Sequence, residues 1–104
     1  MRTQEAQAAL DNLSVSRNAI KNVLRAQTLM TANSVRIMME QETMMMGECP
    51  DRKKMARLAS HMHSKITVKS IRKKGRKLLY SFTEDKSGNP FMLSCADQRV
   101  TIVN

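Results

Sequence analysis

Residues 52–77, RKKMARLASHMHSKITVKSIRKKGRK, decide how this chain is read. The segment holds eleven basic side chains and no acidic one. Two apolar patterns run through it. Met55, Leu58, Ala59 and Met62 stand at i, i+3, i+4 and i+7, the stripe of an amphipathic helix, and Asp51 is placed to cap it. A short polar turn at His63-Ser64 follows. Ser64 can then cap a further helix, with Val68 and Ile71 on its inner face and a stop near Gly75.

Toward the C-terminus the texture changes. Leu78–Phe82 and Phe91–Cys95 read as strands, and the turn-forming run TEDKSGNP between them makes a hairpin with a longish loop. Val100–Val103 is a β-branched run that forms a third strand or an extended tail. Toward the N-terminus, residues 3–30 read as helix, with Ala6, Leu10, Leu13, Ile20, Val23 and Leu24 near helical spacing and no Gly or Pro. Ser14 or Ser16 can divide it by capping a second piece. Thr31–Ser34 is a polar interruption. A second amphipathic helix then carries Val35, Met38 and Met39, continues to Met45 or Met46, and ends at Gly47 with Pro50 just beyond. The run Met44-Met45-Met46 is expected in the core or in a dimer seam.

The order helix, helix, turn, basic helix, hairpin over residues 34–95 resembles a winged helix-turn-helix module. Counting from Leu58, Met62 falls at the turn and Val68 and Ile71 at the two buried positions of the second helix. Ser64 and Thr67 stand where many bacterial repressors place Ser and Thr. Two positions depart from the pattern: Leu58 replaces the usual Ala, and Met62-His63 the frequent Gly. The resemblance implies a mostly α fold with a C-terminal β-hairpin, a winged helix-turn-helix preceded by a long N-terminal helix. Residues 1–33 would be a helical dimerisation or packing segment and residues 34–104 the basic domain.

The same resemblance implies a site. Ser64, Lys65, Lys69, Ser70 and Lys73 would face the major groove, together with Ile66, and Lys53, Arg57, Arg72, Lys74, Arg76 and Lys77 would hold phosphates. Lys86 would sit on the wing. The stretch LDNLSVSRNAIKNVL places Leu10, Ser14, Ser16, Ile20 and Val23 in the same register, against the plainer reading of a dimer or core helix.

Charge points the same way without any resemblance. The 104 residues carry a net charge of +9. Residues 1–50 hold five basic and five acidic side chains, whereas residues 51–104 hold thirteen and four, so the whole excess lies in the second half. So one-sided a surface calls for an anionic partner, and a phosphate backbone is the usual one. We therefore expect a DNA-binding transcriptional regulator that acts on double-stranded DNA as a homodimer. The alternatives are a small protein-binding modulator working through its Met-rich helices and basic face, and an RNA-binding protein. Aromatics are only 3%, which weakens the last, because single strands are gripped by stacking.

Other classes find little support. No apolar run approaches the roughly 18 residues of a membrane span, so no membrane partner is expected. The segment Met1–Leu10 does not read as a signal or transit peptide. Two cysteines, Cys49 and Cys95, fit a reducing cytoplasm. Cys49, His61, His63 and Cys95 lack the spacing of a zinc site. Carboxylates are scattered, with Glu84-Asp85 read in a turn, and no glycine-rich phosphate loop is present. No catalytic residue, metal or cofactor is expected.

Overall fold

The computed structural model describes the backbone of residues 4–63 and 65–103, with side chains from Arg17 onward in that range. Two helices, α1 (Gln4–Met46) and α2 (Arg52–Ser60), are followed by four strands, β1 (Ile66–Lys74), β2 (Lys77–Glu84), β3 (Pro90–Ala96) and β4 (Arg99–Val103). The strands form one antiparallel meander in the order β1-β2-β3-β4. Both helices lie on one face of it. The core joins Val35 and Met39 of α1 and Met55 of α2 to Tyr80, Phe82, Leu93, Cys95 and Val100 of the sheet.

The mostly α winged helix-turn-helix expected above is not the fold of this chain. The segment expected as its recognition helix, residues 65–74, is an edge strand. Ile66, Val68 and Ile71 do face the core, but as the inward residues of a pleat. They stand opposite Glu84, Phe82 and Tyr80 of β2. A β-bulge between Val68 and Ser70 inserts Lys69 as an extra residue. The alternation therefore slips by one there, and the inward set becomes 66, 68, 71 instead of 66, 68, 70. The β-branched content of Ile66-Thr67-Val68 suits a strand better than a helix.

The N-terminal half is one helix rather than two. It runs through Ser14, Ser16 and Thr31–Ser34 without a break, because hydroxyl and amide side chains do not stop a helix as Gly or Pro does. Thr28 and Thr43 donate their Oγ1 hydrogens to the carbonyls of Leu24 and Met39, at 2.7 and 2.6 Å, one turn back. The inward face is Thr28, Thr31, Ala32, Val35, Met39 and Thr43. Met44, Met45 and Met46 are exposed and take no part in the core. The helix stops at Gly47, whose positive φ of 76° and N–H bond to the Thr43 carbonyl, 2.8 Å, close the last turn.

Other expectations hold. Asp51 caps α2, accepting a 2.8 Å hydrogen bond from the Lys54 N–H. Met55 is its buried residue, with Leu58 and Met62 partly buried against the core. The hairpin of β2 and β3 and the third strand at residues 100–103 are all formed.

Cys49 and Cys95 are joined in a disulfide, which corrects the reading of them as free thiols. It ties the segment after α1 to β3 across 46 residues of sequence. Closing a loop of that length stabilises the fold by about 4 kcal/mol in the chain-entropy account. Beside it the Tyr80 hydroxyl donates to the Pro50 carbonyl at 2.6 Å. Burial first, and the Asp51 carboxylate second, push the Tyr80 phenol up to about 12. At the other end of the core Glu84 is 2% exposed rather than in a turn, and accepts a hydrogen bond from the Thr31 hydroxyl. Its second oxygen, Oε1, has no partner. Thr28, Ser87 and Asn89 form a small polar network alongside.

Candidate nucleic-acid interface

The face of the sheet away from the helices is open. Cross-strand partners share a face, so the pairings identify its members. Arg72 stands opposite Leu79, Ser70 opposite Ser81, and Thr67 opposite Thr83. Leu79 then faces Ser94, Ser81 faces Met92, Ser94 faces Thr101, and Ala96 faces Arg99. The middle of this face thus mixes hydroxyls, among them the Ser94–Thr101 pair at 2.6 Å, with the half-buried side chains of Leu79 and Met92. Its corner by the β1–β2 turn carries Arg72, Lys74, Lys77 and Arg99. Lys74 and Lys77 are direct cross-strand partners. No carboxylate lies among these paired positions.

The turn itself is two residues, Gly75 and Arg76. Gly75 has φ +63°, as the first central residue of a tight hairpin of this kind requires. A side chain there would meet nothing within 4 Å, so the glycine is demanded by the backbone alone. Arg76 sits at the tip. The turn between β3 and β4 places Asp97 and Gln98 both at positive φ, 50° and 65°, which sends β4 back beside β3 and brings Arg99 level with the Lys74–Lys77 pair.

The residues proposed from the sequence do not form one reading surface. Arg72, Lys74, Arg76 and Lys77 come together at the open corner. Lys69 projects from the bulge and Ser70 lies on the open face beside it. Lys73 pairs with Leu78 and so points to the helix side of the sheet, though it is exposed. Lys53 and Arg57 are exposed on α2, which packs on that same side against β1. Lys65 and Lys86 line a cleft of about 420 Å³ with His63, Glu84 and Asp85 at the far end of β1. That end is roughly 30 Å from Lys74 at a strand's rise per residue. Ser64 lies outside the described residues, as do the side chains of Leu10, Ser14 and Ser16. Ile20 and Val23, of the second motif copy, are exposed on an unbroken helix.

Arg99 was missed. It is isolated in sequence, between Gln98 and Val100, and only the two-residue turn before it brings it to the others. The spacing Ala96–Arg99 around a polar dipeptide is the signal that a hairpin reading would have used.

The aromatic side chains of the sheet all face inward. Tyr80 and Phe82 are stacked with ring centroids 6.4 Å apart, and Phe82 and Phe91 with 4.9 Å. The open face therefore offers cations, hydroxyls and the apolar side chains of Leu79 and Met92, but no ring for a base to stack on. Among the described residues no helix is long and apolar enough to cross a membrane, and no group of three or more His, Cys, Asp or Glu is arranged to hold a metal ion. No protein-family model, curated protein or solved structure matches the chain.

Proposed function

We propose that this protein binds double-stranded DNA through the phosphate backbone, using the open corner and turn tip of the β1–β2 ribbon. The observation that carries this reading is the like-charge pair Lys74–Lys77, held in direct cross-strand register with Arg72, Arg76 and Arg99 around it and no carboxylate between. Like charges directly opposite one another cost a sheet stability. A polyanion laid across the corner removes that cost. A two-stranded ribbon has the width to enter a major groove, and a face without aromatic rings favours a duplex over a single strand. Control of transcription would need base-edge contacts in addition, for which Ser70 and Arg72 on the ribbon are the residues placed to serve.

The bonded cysteines bear on where this happens. Disulfides persist in oxidising compartments and are rare in the cytoplasm. We therefore favour capture of DNA in an oxidising setting over the cytoplasmic regulator expected from the cysteine count.

The test is fluorescence anisotropy with random-sequence duplex, titrated with salt. Four or five phosphate contacts predict a log–log slope of about −4. The combined Arg72→Ala, Lys74→Ala, Lys77→Ala and Arg99→Ala variant should lose that binding, while Lys65→Ala with Lys86→Ala should keep it. A wild-type affinity indifferent to salt, or one lost with the Lys65 and Lys86 changes instead, would overturn the assignment.

A further inference from the structure

The end of β1 away from the basic corner holds a cleft of mixed charge. It has a volume of about 420 Å³ and is lined by Gln27 of α1, by His63 and Lys65, and by Glu84, Asp85 and Lys86 at the end of β2. Five of these side chains reach solvent. Glu84 alone is buried, at 2% exposure. Its Oε2 accepts a hydrogen bond from the Thr31 hydroxyl, and its Oε1 has no partner among the described residues. A buried carboxylate oxygen without a donor is costly, because it has given up water and received nothing in return. In the wall of a cleft, such an atom marks a place for a donor from outside.

The backbone around this oxygen is pinned. The Glu84 N–H donates to the Asn89 carbonyl at 2.9 Å, and the Glu84 carbonyl accepts from the Gly88 N–H at 2.7 Å. The Asp85 N–H donates to the Lys65 carbonyl at 3.0 Å, and Asp85 Oδ1 accepts from the Thr67 hydroxyl at 2.6 Å. One residue after Gln27, Thr28 ties α1 to Ser87 and Asn89. The rim is looser. Lys65 and Lys86 are exposed and make no ion pair among the described residues. Such long, unanchored side chains can part to uncover Oε1, which is closed off from solvent as the cleft stands.

The charges are sorted by depth, with a carboxylate in the floor and two lysines at the rim. Two lysines against Glu84 and Asp85 leave no net charge, so neither a bare anion nor a bare cation is matched. A phosphate backbone would meet both carboxylates here, which sets this cleft apart from the cationic corner. We propose that the cleft binds a small zwitterion. Its primary ammonium donates to Glu84 Oε1, and its carboxylate or phosphate is held at the rim by Lys65 and Lys86, with His63 beside them. The acceptor count selects an ammonium. Thr31 occupies Oε2, so one oxygen remains, whereas a guanidinium is built to give two parallel bonds. The volume falls in the range of roughly 300–1,000 Å³ typical of small-molecule sites. The site does not rest on the DNA reading, because it shares no residue with the corner.

The experiment is isothermal titration calorimetry on the purified full chain. The probes are ω-amino acids of increasing length, from glycine to aminohexanoate, and phosphoethanolamine. Ethylamine, acetate and inorganic phosphate are the single-charge controls. At least one zwitterion should bind with a Kd below about 1 mM, and each control at least about tenfold more weakly. The amino acids and phosphoethanolamine together show which anion the rim prefers. Glu84→Gln keeps the shape of the side chain and an acceptor for Thr31, and should weaken binding at least about tenfold by removing the charge that meets the ammonium. The double variant Lys65→Ala, Lys86→Ala alters exposed side chains only, so it tests the rim in a chain that folds. It should lose zwitterion binding and keep duplex binding. The corner variant should show the converse, which separates failure of one site from failure of the other. The proposal is overturned if no zwitterion binds, if the controls bind equally well, or if the rim variant keeps wild-type affinity.

Discussion

On the face of the sheet that meets the helices, β2 and β3 present Tyr80, Phe82, Leu93 and Cys95. On the other face the same two strands present Leu79, Ser81, Met92 and Ser94, and their neighbours add Arg72, Lys74, Lys77 and Arg99. Outside the Lys69 bulge the two surfaces are separated by a single residue step along each strand, yet one is buried and the other carries the cations. Alternation of this kind lets a small domain spend one face on stability and leave the other free for a partner. Changes on the inner face should move stability and leave binding alone, and changes on the outer face should do the reverse.

The largest effect is expected from Phe82→Ala. It removes a ring that is 1% exposed and stacked on both Tyr80 and Phe91, and should cost about 4 kcal/mol in urea unfolding, with an unchanged salt slope for the protein that remains folded.

Next comes alkaline pH. The Tyr80 phenol in the folded chain is pushed up to about 12 from an ordinary value of 10.0. The folded state holds that proton more tightly than the unfolded state. The stabilisation is therefore fully present below pH 10 and is lost as pH rises through 12, a decline of roughly 3 kcal/mol at most. Tyr80→Phe should flatten that part of the pH profile. An equal decline in the variant would assign it to another group.

A smaller gain is expected from Gln98→Gly. Gln98 holds φ +65° in the β3–β4 turn, where glycine is unstrained, and the change should raise stability by about 0.5–1 kcal/mol. The smallest stability effect belongs to the outer face. Lys77→Ala relieves the repulsion with Lys74 and should change unfolding by only a few tenths of a kcal/mol, in the stabilising direction. Its duplex affinity should nevertheless fall and its salt slope shrink by about one. A Lys77→Ala chain that is clearly destabilised would break the division between the faces.

Much of the fold was legible residue by residue. Asp51, the stripe Met55-Leu58-Met62, the glycine stop at 47, and the strands around residues 78–82, 91–95 and 100–103 all carry local signals strong enough to survive folding. Strand β1 was not legible, and the reason is physical. The bulge at Lys69 moves the inward position from Ser70 to Ile71, so Val68 and Ile71 sit three apart, the spacing of a helix. The long α1 was misjudged for a different reason. Its polar residues at 31–34 look like a gap in an apolar stripe, but Thr31 faces inward and bonds Glu84. Of the candidate site, the cations were visible as a charge excess. Their division between two ends of β1, and the recruitment of Arg99, depend on pairing between strands, which a local pattern does not record.

The bond between Cys49 and Cys95 has a mechanical side. It links the end of α1 directly to β3, so a pull applied between α1 and β4 travels through the sulfurs and bypasses residues 50–94. Helix α2, strands β1 and β2 and most of β3 then bear no tension. Beyond Cys95, only the last turn and β4 can be peeled away while the bond is intact. Reduction places the bypassed stretch back in the load path and frees roughly 150 Å of extensible chain. Set at the foot of a long helix, the disulfide would route a pull on that helix past the first two strands and most of the third, so the cationic corner of β1 and β2 would keep its shape.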